Sequence, residues 1–258
     1  MSGLVLSLFP GIGMLDMAFE EAGFCVVRGP DLLWGSDVRG WKIAPNKFDG
    51  IIGGPPCKRF SPLANIVRAV HGEDSVAPDL IPEFVNLIEW GMPAWFLMEN
   101  VPLAPIPSPK RFKVRDQIIR DVWVGGATSR ERRFSFGALH SPTVERWQIE
   151  TLALHQTEAK PTVTTNSGGR RKVLKHGPDG RVRGHQGHAD HHRLKWRSLQ
   201  EMAADQGVPA EFITRMKEHG AFTEKALRIG IGNGVPLPMG RAVAAAVVRA
   251  LQPAVVAA

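Results

Sequence analysis

Short apolar runs alternate with amphipathic stretches through the first 140 residues, the pattern of βα units laid on a largely parallel sheet. Gly3 to Phe9 (GLVLSLF) reads as a buried first strand that ends in the turn Pro10-Gly11-Ile12-Gly13. Met14, Leu15, Ala18, Phe19 and Ala22 recur at helical spacing, and Gly23 supplies the stop. Phe24 to Val27 and Phe48 to Ile52 predict two more strands, the second running into Gly53-Gly54-Pro55-Pro56-Cys57. Asp79 to Met92 predicts a helix with Leu80, Phe84, Leu87 and Ile88 on one face. Trp95 to Met98 predicts a strand closed by Glu99-Asn100-Val101-Pro102, and Arg133 to Phe136 a late strand after the cluster Arg130-Glu131-Arg132-Arg133. The pattern as a whole predicts a doubly wound α/β domain.

From His140 to Arg197 apolar runs become sparse, and Gly, Arg and His dominate up to His192. Such a stretch supports no large core of its own, so residues 140–197 read as a small second region or a long recognition loop. Helical pattern returns over Ser198 to Gln206, Ala210 to Lys217 and Pro236 to Leu251. Residues 1–139 with 198–258 therefore form the main domain.

Composition narrows the class. Of 258 residues, 43% are hydrophobic and 22% charged, which fits a globular domain and excludes fibrous chains. Lys and Arg number 32 against 25 Asp and Glu, a formal charge of +7 that favours a polyanionic partner. Two cysteines, Cys25 and Cys57, make no disulfide framework, and a reducing compartment is expected. No apolar run reaches the roughly 18–20 residues of a membrane span. Met1 to Leu6 lacks the basic start of a secretory leader, so no leader is expected.

Four constellations fall at strand ends, where open parallel sheets hold ligands. Phe9-Pro10-Gly11-Ile12-Gly13 lets the backbone approach a nucleotide-like cofactor at a helix N-terminus, although a bland tight turn needs the same glycines. Pro55-Pro56-Cys57 is a rigid loop presenting a thiol, and Lys58 and Arg59 follow directly; cationic neighbours favour a nucleophilic thiolate. Cys25, inside an apolar strand, is the better candidate for an inert, buried thiol. Glu99-Asn100-Val101 places a carboxylate after Trp95, Phe96 and Leu97, positioned to share a proton with a substrate. Arg130 and Arg132 carry guanidinium forks suited to phosphates or base carbonyls, or else lie on a solvated face.

In this order the motifs resemble those of the DNA (cytosine-5)-methyltransferases. Phe9-Pro10-Gly11-Ile12-Gly13 is similar to the family's first cofactor motif, Pro55-Pro56-Cys57 to its nucleophile motif and Glu99-Asn100-Val101 to its glutamate motif. Arg130 and Arg132 match its paired arginines, and Gly232-Asn233-Gly234-Val235-Pro236 its final motif. The resemblance implies a Rossmann-like methyltransferase fold, mostly parallel, with a small target-recognition segment, and S-adenosylmethionine as cofactor. It assigns Phe9, Gly11, Ile12, Gly13, Asp31, Asp37, Val38, Asn233 and Val235 to the cofactor, with Asp31 on the ribose and Asp37 on the adenine.

It further implies that Cys57 attacks C6 of a flipped-out cytosine while Glu99 holds the base edge. Arg132 then contacts the base carbonyl and Arg130 supports the site. Lys58, Arg59, Arg170, Arg171, Lys172, Arg181 and Arg183 are expected on DNA, largely through phosphates.

The chain departs from the family pattern at Thr128, where glutamine is usual, and in its short middle segment. His185, His188, His191 and His192 cluster as zinc ligands do, but no cysteine accompanies them, and a basic loop on DNA is the preferred reading; no metal is assigned. Double-stranded DNA is the expected partner, with a cognate restriction endonuclease beyond it. The expected state is a monomer in the cytoplasm of a bacterial or phage-infected cell, with no membrane partner. RNA methylation and a catalytically idle DNA-binding relative are the alternatives. An NAD-dependent dehydrogenase explains the first glycine turn and leaves Cys57 and Glu99 without a role.

Overall fold

The computed structural model describes residues 3–60, 62–72, 75–152, 159–164, 197–220 and 222–252. Six strands form one sheet: β1 (Leu4–Leu8), β2 (Cys25–Arg28), β3 (Gly50–Gly53), β4 (Trp95–Asn100), β5 (Lys113–Arg120) and β6 (Glu131–Ala138). Their order is β2-β1-β3-β4-β6-β5. The four strands β1 to β4 run parallel, while β6 is antiparallel to both β4 and β5. The parallel strands expected from apolar runs are all present. The late strand is longer than the sequence suggested, and β5 is an addition to it.

Eight helices are described: α1 (Met14–Glu21), α2 (Pro62–His71), α3 (Ile81–Gly91), α4 (Ser141–Arg146), α5 (Leu199–Asp205), α6 (Ala210–Glu218), α7 (Glu224–Asn233) and α8 (Leu237–Leu251). Alternate residues of a strand point to opposite faces, so each central strand feeds two cores. Leu6, Leu8, Ile51, Phe96 and Met98 pack with Ile81, Phe84, Leu87 and Ile88 of α3. On the other face Val5, Ile52, Trp95, Leu97, Phe134 and Phe136 meet Leu15 and Phe19 of α1 and Val243, Ala244 and Val247 of α8. Each fully buried side chain of this size contributes roughly 1.5–3 kcal/mol, and helices on both faces make the domain doubly wound.

A third cluster joins Ile12 and Met14 at the first turn to Met202 of α5, Ile213 of α6 and Leu227 and Ile231 of α7. Those late helices thereby become a wall beside the first βα turn. Residues of the compositionally distinct middle also join the main core: Val144, Trp147 and Ile149 lie in the α8 cluster, and the Trp147 ring stacks on Phe136 at 5.5 Å. Cys25 differs from its expectation. β2 is an edge strand of the sheet, and Cys25 is exposed on it. Among the described residues no single helix is long and apolar enough to cross a membrane.

Candidate active site

At the C-terminal end of β1 the chain turns through a run of left-handed residues. Phe9, Gly11 and Gly13 have φ of 55°, 55° and 85°, and glycine is the residue that adopts this conformation without strain. Gly13 N–H donates to Pro10 O at 2.8 Å, which closes the turn against the start of α1. Asp31 caps a short 3-10 turn, Leu32–Trp34, by accepting from Leu33 N–H at 2.7 Å; its other oxygen accepts from Gly11 N–H at 2.8 Å. A single carboxylate therefore ties the end of β2 to the glycine turn.

A cavity of about 440 Å³ opens above this turn. Phe9, Gly11, Ile12, Asp31, Asp37, Val38, Asn233 and Val235 all line it, and so do Cys57, Lys58, Glu99 and Arg132. The cofactor and catalytic residues expected from sequence thus meet in one space. Gly13 and Arg130 stand behind the wall. Asp37 is bound to Arg39 at 2.6 Å, and that guanidinium holds its carboxyl below the usual carboxylate range.

Cys57 follows β3 and is half-buried. Its loop is fastened to β4 by Asn100, whose Nδ2 donates to Pro55 O at 3.1 Å. Glu99, one residue earlier, pairs with Arg132 Nε at 2.7 Å, with both side chains nearly covered. Pairing of β4 with β6 sets Glu99 opposite Phe134, which brings the base of the arginine cluster beside the carboxylate. Lys58 and Arg59 lie in the 3-10 turn immediately after Cys57.

Arg130 has a different task from Arg132. It is 2% exposed, and its guanidinium donates to Val163 O at 3.0 Å, Gly232 O at 2.9 Å and Asn233 O at 3.0 Å. Two of those carbonyls end α7, where helical carbonyls lack partners and a cation is favoured. Burial, with Arg132 nearby, pushes the Arg130 pKa down to about 9. Arg130 therefore fastens the Asn233 wall of the cavity to the strand that carries Arg132.

Sequence reading missed several supporting residues. Asp16 is fully buried in α1, accepts from Ser7 Oγ and pairs with Arg28 Nε at 3.0 Å. Burial pushes its carboxyl above the usual range. An acidic residue among the apolar positions of the first helix was the available signal. Thr128 donates through Oγ1 to Asp121 at 2.7 Å and through its N–H to the same oxygen at 2.9 Å, which supplies the loop with the support expected of glutamine. Thr128→Val is expected to cost about 1–2 kcal/mol in urea unfolding, by leaving that buried carboxylate oxygen short of a donor. Thr128→Gln is expected to bring no gain in activity, because the site is fully buried and has no room for a longer chain.

Arg170, Arg171, Lys172, Arg181, Arg183 and the four clustered histidines lie outside the described residues. Among the described residues no group of three or more His, Cys, Asp or Glu side chains is placed to hold a metal.

The sheet, with its ligand cavity at the C-terminal edge of the parallel strands, is of the methyltransferase fold class. A solved Entamoeba histolytica methyltransferase, EhMeth, superposes with a TM-score of 0.67 at 14% identity, covering 98% of this chain and 100% of that one. A Spodoptera frugiperda DNMT2 mutant superposes at 0.59 with 13% identity, covering 96% and 100%. Residues 35–121 match the model for C-5 cytosine-specific DNA methylases. The Type II methyltransferase M.NgoPII of Neisseria gonorrhoeae is 32% identical over 115 residues, 38% of this chain and 33% of that protein. M.FnuDI of Fusobacterium nucleatum is 31% identical over 113 residues, again 38% of this chain and 32% of that protein. The family model thus matches about a third of this chain, within the part that carries Cys57 and Glu99. The chain spans about a third of the length of the curated relatives it matches.

Proposed function

We propose that the protein is a site-specific DNA cytosine-C5 methyltransferase using S-adenosylmethionine. The observation that carries this reading is the convergence of Cys57, Glu99 and Arg132 on one cavity that the glycine turn, Asp31 and Asn233 also line. A concave, mostly apolar space with a few convergent polar groups suits a nucleoside-bearing cofactor. Gly11, Asp31, Val38, Asn233 and Val235 would hold it. S-adenosylmethionine, when bound there, supplies the methyl group that C5 of the target receives.

The chain's own residues prepare the base. Cytosine must leave the duplex to reach a thiol that lines a cavity, and Lys58, which lines the same cavity, would meet the DNA together with Arg59. The Cys57 thiolate adds to C6, forming an S–C bond and shifting the π electrons towards C5. Glu99 holds the N3 and N4 edge, and Arg132 the carbonyl oxygen; together they stabilise the charge displaced by addition. Loss of the C5 proton and departure of the Cys57 sulfur restore the ring. The Glu99–Arg132 pair fits this division of labour, since each orients the other before the base arrives.

The named relatives are Type II methyltransferases, which supports a protective role beside a restriction endonuclease and a cytoplasmic site of action. Base-resolution methylation sequencing of DNA from a methylation-free host expressing the chain tests the reading. 5-Methylcytosine in one short sequence context is the expected result. Unmethylated DNA in the presence of folded protein would overturn it, and methylated cytosine in host RNA would redirect the substrate.

A further inference from the structure

The turn that follows β2 grips the first βα turn by a single residue. Asp31 Oδ2 accepts from Gly11 N–H at 2.8 Å, and three positions on, Trp34 Nε1 donates to Gly11 O, also at 2.8 Å. Both polar groups of the Gly11 backbone are therefore held by one short turn. That turn is itself closely tied. Trp34 N–H and Ser36 N–H donate to Asp31 O at 2.9 and 3.1 Å, and Gly35, at φ 78°, donates to Leu32 O at 3.1 Å. Gly11 needs such a hold, because its φ of 55° lies in the left-handed region. Among the described residues no atom beyond its chain neighbours comes within 4 Å of where a Cβ would stand, so hydrogen bonds rather than packing fix it.

The other end of the indole is engaged as well. Trp34 is 44% exposed, and its ring meets Phe222 edge-on, with centroids 4.9 Å apart and planes at 86°. Phe222 lies between α6 and α7 and packs against the third core cluster, as does Leu33 from the turn itself. Helix α7 carries Ile229, Gly230 and Asn233 to the cavity, and Leu32 and Leu33 line it from the turn after β2. Trp34 thus joins the glycine turn, through its N–H, to the α6–α7 connection, through its ring edge. A ring with one polar and one apolar end suits such a half-wet boundary.

We propose that Trp34 is a positioning residue for the cofactor: its indole N–H fixes the Gly11 carbonyl and its ring braces the turn against Phe222, so that the Gly11 and Leu32–Leu33 parts of the cavity are set before the ligand arrives. This deepens the reading above and rests on it, since the ligand is the S-adenosylmethionine proposed there. A wall ordered in the free protein has less conformational freedom to lose on binding, and that saving appears as affinity. Because Trp34 acts through Gly11, its loss weakens cofactor binding and leaves the chemistry of Cys57 unchanged once cofactor is saturating.

The test is calorimetric binding of S-adenosylmethionine and S-adenosylhomocysteine without DNA, beside steady-state methylation, with full-length Trp34→Phe, Trp34→Ala and Phe222→Leu. Trp34→Phe keeps a ring for Phe222 and loses only the donor; its Kd for both ligands should rise about threefold to tenfold, the range one net hydrogen bond supports. Trp34→Ala loses donor and ring together and should rise further, while Phe222→Leu, which keeps the donor, should rise about twofold to threefold. In all three, kcat at saturating cofactor and the duplex Kd should stay within about twofold of wild type, so the effect falls on KM for the cofactor. A wild-type cofactor Kd in folded Trp34→Phe overturns the proposal, as does a parallel loss of kcat, duplex binding and cofactor binding, the mark of a merely structural role. Should both Trp34 variants fail to fold, a wild-type cofactor Kd in Phe222→Leu overturns it. If the wild-type chain binds neither ligand, the cofactor reading falls and takes this proposal with it. Wild-type binding that Trp34→Phe leaves unchanged strikes this proposal alone, and the binding arm reads Trp34 even where no cytosine is methylated.

Discussion

Cys57→Ser is expected to lower methyl transfer by about 10⁴-fold or more while leaving fold and cofactor affinity near wild type. A serine hydroxyl is un-ionised at neutral pH and is a far weaker nucleophile towards C6 than a thiolate. The substitution is structurally mild: Cys57 is half-buried, and the hydrogen bond that organises its turn runs from Phe60 N–H to the Cys57 carbonyl at 2.9 Å, which ignores the side chain. A stability change within about 0.5 kcal/mol is expected. Duplexes carrying 5-fluorocytosine separate this prediction from simple loss of binding. Fluorine cannot leave C5 as a proton does, so the wild-type sulfur should stay bonded to C6 after methyl transfer. A denaturation-resistant protein–DNA adduct should form with wild type and be absent with Cys57→Ser. Activity of the variant within tenfold of wild type would remove Cys57 from the nucleophile's role.

The elements that place this thiol were the most legible in the sequence. β1, β3 and β4 are covered on both faces, so they read as uninterrupted apolar runs, and their ends are punctuated by Gly or Pro. β5 was invisible for the opposite reason. It is an edge strand, Lys113–Arg120, whose charged residues face solvent and whose partner β6 lies eleven residues further on.

Helix α7 was hidden by its glycines, which depress helical propensity. Gly230 is there because Ile12 packs against it, where an added Cβ would meet the Ile12 side chain. Only the tertiary contact between the first turn and α7 explains the residue. The same distinction runs through the site. Short motifs revealed Cys57, Glu99 and the glycine turn, each local to one strand end. The partners of Arg130 lie 33 to 103 residues away and are backbone carbonyls, which no side-chain pattern advertises.

Those partners separate the two arginines in a way the motif alone did not. Arg130→Met is expected to cost roughly 3–5 kcal/mol of stability, because the carbonyls of Val163, Gly232 and Asn233 lose their donor together in a buried setting. Relief of the charge's own desolvation, the same burial that lowers the Arg130 pKa, offsets part of that loss. Arg130→Lys keeps a cation, but one ammonium on a flexible stem cannot reach three carbonyls in a planar fork, so an intermediate loss is expected. Because Asn233 lines the cavity, the Kd for S-adenosylmethionine should rise at least tenfold in folded Arg130→Met, read by calorimetry without DNA. Arg132→Met should behave otherwise. Its guanidinium faces the cavity and Glu99, so turnover should fall steeply, while the urea midpoint should drop less than in Arg130→Met because one partly covered carboxylate, not three buried carbonyls, loses its partner. If Arg130→Met binds cofactor as wild type and unfolds at the same midpoint, the three-carbonyl clamp carries no weight. If instead the two variants lose stability equally, Arg132 is as structural as its neighbour, and the carbonyl-binding role assigned to it must pass to another donor in the cavity.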